Sequence, residues 1–151
     1  MLATEPFIPA AAGNPQLPWI SMGPGISKKL LALFPERGEW VTLLRLEPGT
    51  RVPLHRHQGE VHGYLLSGGR RIEPEGRVLG PGDYEYEPAG HVDTWGVQGD
   101  EPLVSLFFVR GAVEYLAEDG SVLRRETAAT NAEEYRHACA VQGLVPLDLR
   151  G

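Results

Sequence analysis

Two short stretches hold most of the chemistry this sequence can offer. In GTRVPLHRHQGEVHGYLLSG (49–68) three of the five histidines fall together, His55, His57 and His62. His55 and His57 stand two apart, and on an extended segment such a pair projects both rings to the same side. Two imidazoles converging on one point are what a divalent transition metal needs. Alone, the tripeptide would equally describe two polar positions on a solvent-facing strand. Gly49 before it and Gly68-Gly69 after the next strand favour the metal reading. The second stretch, GDYEYEPAGHVDTW (82–95), turns at Pro88-Ala89-Gly90 and then offers His91 and Asp93, which strand alternation puts on one face. Three readings are open. Asp93 joins the two histidines, giving the set of two histidines and one carboxylate found in non-haem Fe(II) sites. His91 swings in and makes a three-histidine site. Or neither binds, the site is vestigial, and Asp93 is a hydrogen-bonding turn residue.

The elements that must position these groups are short strands. KLLALF (29–34) and EWVTLLRL (39–46) are strand-like and separated by a PERG turn. VHGYLLSG (61–68) is a strand ending in Gly-Gly, and EPEG, GPGD and EPAG break the next segment into short pieces. PLVSLFFVRG (102–111) is a continuous apolar run that suits a strand buried on both faces. AVEYLAEDGSVLRR reads as a hairpin turning at Asp119-Gly120. The period then changes. Thr130 or Asn131 can cap a helix that places Tyr135, Ala138 and Val141 on one face and ends at Gly143. Eight to ten short strands before one terminal helix predict an all-β single domain, a small barrel or jelly roll. Its parts are an extended proline-rich arm over 1–25, the barrel over 26–126, and a helix and tail over 127–151.

Composition narrows the partners. The 151 residues suit one domain, and 19 glycines with 13 prolines require many turns. Lys and Arg number 14 against 20 Asp and Glu, a net charge of −6, which argues against nucleic acid. Cys139 is the lone cysteine and cannot form an internal disulfide. No apolar stretch approaches a membrane span, and the N-terminal residues lack the basic start of a secretory signal. The expectation is a cytoplasmic protein that binds neither nucleic acid nor membrane.

With these residues in view, the chain resembles the cupin superfamily. Its first motif is a glycine, five residues, His-x-His, three or four residues, a glutamate, six residues and a glycine. Gly49, His55, His57 and Gly68 fit; the glutamate position falls on Val61 or His62, and Glu60 is one residue early. If Val61 faces the lumen, His62 faces away. The second motif, a glycine, five residues, Pro-x-Gly, two residues and a histidine, is matched from Gly82 through Gly90, with Asp93 in the histidine's place. WISMGPGISKKLL, VHGYLLSG, the segment 70–90, VRGAVEYLAEDGSVL and the terminal AVQGL resemble 2,4'-dihydroxyacetophenone dioxygenase-like cupins and, more loosely, acetylacetone dioxygenase-like cupins.

That resemblance implies one Fe(II), with Zn, Mn or Ni as alternatives, at His55, His57 and Asp93, with His91 the rival third ligand. It implies dioxygen-dependent cleavage of a carbon–carbon bond beside a carbonyl in a small aryl ketone or diketone. Glu75, ahead of Glu73, matches a glutamate near the family's metal and is the candidate acid–base group. Its ordinary reading is an exposed hairpin carboxylate. Tyr84, Tyr86, Trp95 and Phe107 could line a substrate pocket, with Trp40 and Tyr64 further out, or simply form core. His137 and Cys139 are read as non-functional. Cupins of this kind imply a homo-oligomer, dimer or tetramer. The rival classes are a zinc-binding sensor module, as in the cupin domains of anti-sigma factors, and a non-oxidative isomerase or cyclase that uses His91 or Asp93 as a base without metal.

Overall fold

Short apolar-alternating runs cut by Gly and Pro give short strands, and the computed structural model shows twelve of them among the described residues, 17–150. They are β1 (Ile20–Gly23), β2 (Ile26–Phe34), β3 (Glu39–Leu46), β4 (Arg51–His57), β5 (Val61–Ser67), β6 (Arg70–Glu73), β7 (Arg77–Leu79), β8 (Tyr84–Glu87), β9 (Val92–Val97), β10 (Leu103–Arg110), β11 (Val113–Leu116) and β12 (Val122–Glu126). One helix, α1 (Ala128–Gln142), follows. Most of the arm expected over 1–25 lies outside the described residues; within that span, β1 pairs antiparallel with β2. The strand count exceeds the expected eight to ten because β6, β7 and β8 have only three or four residues each.

The strands form two antiparallel sheets, ordered β1-β2-β3-β10-β5-β8 and β12-β11-β4-β9-β6-β7. The fold is all-β with one C-terminal helix. Inward residues of both sheets build one core that includes Leu30, Trp40, Leu46, Leu103, Phe107 and Val113. β10 was expected to be buried on both faces. It alternates instead: Leu103, Ser105, Phe107 and Val109 are buried, while Val104, Leu106 and Phe108 on the outer face are half-buried. An antiparallel sheet can turn one face toward solvent, which removes the need for full burial there.

Helix α1 begins earlier than expected. Thr127 is its cap, and Thr127 and Thr130 exchange side-chain-to-backbone hydrogen bonds in a capping box. Gly143 closes it at φ 69°, a left-handed conformation that favours glycine. Tyr135, Ala138 and Cys139 are buried, whereas Val141 is 71% exposed. At roughly 100° per residue Val141 stands about 120° round the helix from Tyr135, off the buried arc. His137 is exposed and Cys139 is free and buried. No helix among the described residues is long and apolar enough to cross a membrane.

A buried charge ties the helix to the barrel. The Lys28 ammonium, 2% exposed, donates to Glu126 at 2.9 Å and Asn131 at 2.7 Å and pairs with Glu134 at 2.7 Å. Three acceptors match its three donors. Removing Glu126 leaves the buried Lys28 with Glu134, a more exposed carboxylate, as its remaining ion-pair partner. Glu126→Ala is therefore expected to destabilise the fold by about 3 kcal/mol, read as a lowered urea midpoint with an unchanged slope; an unshifted midpoint would refute the tie.

Candidate metal centre

Strand alternation carries His55 and His57 to the inner face of β4, where they are 3% and 7% exposed. Their rings are 4.9 Å apart between centroids and nearly perpendicular. The His55 Nδ1–H donates to the Pro53 carbonyl at 2.8 Å. A carbonyl only accepts, so this bond fixes the proton on Nδ1 and leaves the Nε2 lone pair facing the lumen. The outward neighbour Arg56 pairs with Glu114 across β11, which holds the strand's phase.

β9 lies beside β4, and its register sets His55 opposite Asp93. Asp93 is 1% exposed and its Oδ1 lies 3.2 Å from His55 Nε2. That oxygen is buried without a hydrogen-bond donor. Two lone pairs thus face each other across the gap, an arrangement stable only with a cation or a proton between them. The other oxygen, Oδ2, accepts from His91 Nε2 at 3.1 Å. His91 sits at the rim, its side chain 29% exposed.

Strand β8 brings a residue that sequence reasoning missed. Glu85 and Glu87 point inward, while Tyr84 and Tyr86 point out, 61% and 52% exposed. Tyr84 and Tyr86, candidates for a substrate pocket or for core, therefore lie outside the lumen. Glu87 Oε2 lies 3.1 Å from His57 Nε2. Ligand-type atoms of Glu87, His91 and Asp93 all fall within 4.8 Å of one another, a group that could hold a metal ion. The second missed residue is Arg70 on β6. It is 1% exposed, stacked over Trp95 at 4.1 Å and Phe107 at 5.2 Å, and pairs with Glu85 and, at 3.4 Å, with Glu87. Gly63 makes room for this pair, since a Cβ there would meet Glu85 at 2.7 Å and Phe107 at 2.9 Å.

The electrostatics follow from burial. Burial and then the charge of His57 lower the His55 imidazole to about 4, so it is neutral. Burial alone would raise Glu87, but the hydrogen bond and charge of His57, with Arg70, outweigh it and hold the carboxyl at about 2. Burial, followed by the charge of Glu87, pushes Asp93 up to about 6. Without a metal, a proton on Asp93 relieves the crowding of negative charge. Arg70 is lowered by burial, against the pull of Glu87 and Asp93.

The remaining sequence candidates divide cleanly. Trp95, Phe107 and Trp40 line the same cavity as His55, His57, Arg70 and Glu87. Val61 faces in, 1% exposed, and His62 faces out against Tyr84 and Tyr86, as strand phase requires. Tyr64 is also outside, 45% exposed. Glu75, the acid–base candidate, is exposed in the β6–β7 turn, and Glu73 pairs with Arg71 on the outer side. Neither is brought to the lumen. In the hairpin the strand phase turns Ile72 and Arg70 inward, and their neighbours turn out.

Comparison with known proteins agrees with this architecture. No curated protein sequence matches the chain. Among solved structures, an RmlC-like cupin protein from Ralstonia eutropha JMP134 is 28% identical with a TM-score of 0.84, over 89% of this chain and 89% of that one. An acetylacetone dioxygenase from Acinetobacter johnsonii shares the fold at 16% identity, with a TM-score of 0.78 over 91% of this chain and 95% of that one. A structure of Rhodobacter sphaeroides SigE in complex with the anti-sigma ChrR is similar at 25% identity and a TM-score of 0.55, over 62% of this chain and 49% of that one. A family model described as the ChrR cupin-like domain matches residues 10–114, well over half of the sequence, and the chain belongs to that family of cupins.

Proposed function

We propose that this cupin is a metal-dependent enzyme that uses dioxygen to cleave a carbon–carbon bond beside a carbonyl in a small diketone or aryl ketone. His55, His57 and Asp93 hold the metal, Fe(II) first among Fe, Zn, Mn and Ni. The observation that carries this reading is the buried, unpartnered Asp93 Oδ1 facing the fixed Nε2 lone pair of His55. Two histidines and a carboxylate suit non-haem Fe(II) and leave positions open. When bound, the ion supplies Lewis-acid polarisation and redox chemistry toward dioxygen.

The chain's own residues supply the surroundings. Trp95 and Phe107 give the lumen a buried aromatic wall of low polarity, which strengthens the charge interactions beside it. Arg70 offsets part of the carboxylate charge. The lumen is about 50 Å³, room for small ligands only. It shares Met22, Leu44, Val52 and Tyr115 with an outer cavity of about 310 Å³ that also reaches Ile26 and Arg124. This arrangement supports a substrate whose oxygen-bearing end enters the lumen while an apolar body stays in the mouth.

The family match favours a second reading, a zinc-holding binding module without turnover. Elemental analysis separates the two. Protein reloaded anaerobically with Fe(II) is expected to bind near one equivalent and to consume oxygen when given acetylacetone or a hydroxyacetophenone. Tightly held zinc with no oxygen consumption under any loading would instead establish the binding module. His57→Ala is expected to abolish metal uptake; full stoichiometric metal in that variant would sink the lumen site. Leu44→Trp, in the wall shared by the two cavities, should raise KM roughly tenfold or more for the diketone, about 1.4 kcal/mol of lost binding, with metal content unchanged. An unaltered KM would mean that the substrate does not enter by this mouth.

A further inference from the structure

We infer that Glu87 is itself a metal ligand, so that the coordinating set is His55, His57, Asp93 and Glu87, with His91 positioning Asp93 instead of binding the ion. The inference rests on the metal-centre reading above and deepens it.

Register carries the argument. β5 and β8 pair with Val61 directly opposite Glu87. Both side chains point inward and are buried, 1% and 5% exposed. At this level of the barrel β5 therefore presents only methyl groups, and the carboxylate comes from the neighbouring strand. Paired residues in an antiparallel ladder have Cβ atoms about 5 Å apart. A glutamate side chain spans that difference, so either position can deliver an oxygen to the same point.

Two imidazole–carboxylate contacts line the lumen. Asp93 Oδ1 stands 3.2 Å from His55 Nε2, and Glu87 Oε2 stands 3.1 Å from His57 Nε2. The two imidazole–carboxylate pairs come from strands of both sheets. Arg70 lies 3.4 Å from Glu87 Oε1, the oxygen turned away from His57, and so orients the carboxylate. Charge agrees. Glu85, Glu87 and Asp93 outnumber Arg70, and a divalent ion among them offsets the excess negative charge.

His91 is placed differently. Its Nε2 is engaged by Asp93 Oδ2, and its ring lies at the partly open rim. Its backbone carbonyl accepts from the His57 N–H, which pins the corner between β8 and β9. A ring that fixes one oxygen of a ligating carboxylate leaves the other oxygen aimed inward. The competing set of Glu87, His91 and Asp93 would be compact, but it would leave the His55 lone pair buried and unused.

The test is calorimetric titration of the full chain, stripped of metal, with Mn(II) and with Zn(II). Glu87→Gln should weaken both by at least about 100-fold, and His91→Ala by about tenfold. The strand swap V61E/E87Q should recover affinity to within about tenfold of wild type, because the carboxylate re-enters from the paired position. Glu87→Gln binding like the wild type would overturn the inference, as would a folded swap variant no tighter than Glu87→Gln alone. His91→Ala losing more than Glu87→Gln would return the ligand role to His91. If Glu87→Gln does not fold because Arg70 loses a partner, the swap carries the test, since it keeps the lumen charge. Wild-type protein that takes up neither ion removes the metal centre itself, a result read before any variant. Binding is the readout, so the outcome does not depend on whether oxygen is consumed.

Discussion

Beside the Lys28–Glu126 pair, which lines the same cavity, the carboxylates of Glu85, Glu87 and Asp93 share the barrel interior with one guanidinium, and that imbalance governs the rest of the lumen. Burying an unpaired carboxylate costs several kcal/mol even after relaxation, so Glu85, Glu87 and Asp93 need more positive charge than Arg70 provides. Burial keeps the His55 imidazole neutral, so it adds none of that charge. A proton on Asp93 is a partial answer, seen in its raised pKa of about 6. A divalent ion among the carboxylates and the two imidazoles is a complete one.

The barrel meets the requirement by bringing two sheets together at one corner. β4 and β9 contribute His55, His57 and Asp93 from one sheet, and β8 contributes Glu87 from the other. The Pro88-Ala89-Gly90 turn joins them, with the Gly90 N–H donating to the His57 carbonyl and the His57 N–H to that of His91. Gly90 at φ 85° gives the chain the left-handed step this turn needs. Hydrogen bonds across the corner fix the two carboxylates relative to the two histidines, so the constellation is set by backbone and not by flexible loops. In the wall of the same cavity, the Lys28 cluster fastens α1 to the barrel and closes a second buried charge.

A set of two histidines and two carboxylates is harder than a three-histidine set and favours Fe(II), Mn(II) or Zn(II) bound through oxygen. The chain's similarity to a dioxygenase lies in the fold, and its family is named for a ChrR domain. The proposed turnover draws its support from the lumen, which is lined by Trp95 and Phe107 and shares four wall residues with an outer cavity.

The sequence alone determined the strand-rich fold, the terminal helix and the inward histidine pair, because period-two alternation and glycine–proline turns are local signals. Strand phase suggested Val61 as a lumen residue, whereas Asp93 stayed one of three open readings, favoured by the position the cupin resemblance implies. What the sequence could not determine was which half of Tyr84-Glu85-Tyr86-Glu87 faces in. Alternation fixes the contrast between the pairs, but the sign is set by pairing with β5. Aromatic residues favour burial in general, and that preference pointed the wrong way here. Only the tertiary structure supplied the reason: Arg70, distant in sequence, lies in the lumen and makes two buried glutamates tolerable. Glu75 erred for the same cause, since a hairpin carboxylate reaches a metal only if its strand phase turns it inward, and the β6–β7 turn leaves it in solvent. Local chemistry thus named the candidate ligands, and long-range charge pairing decided which of them enter the site.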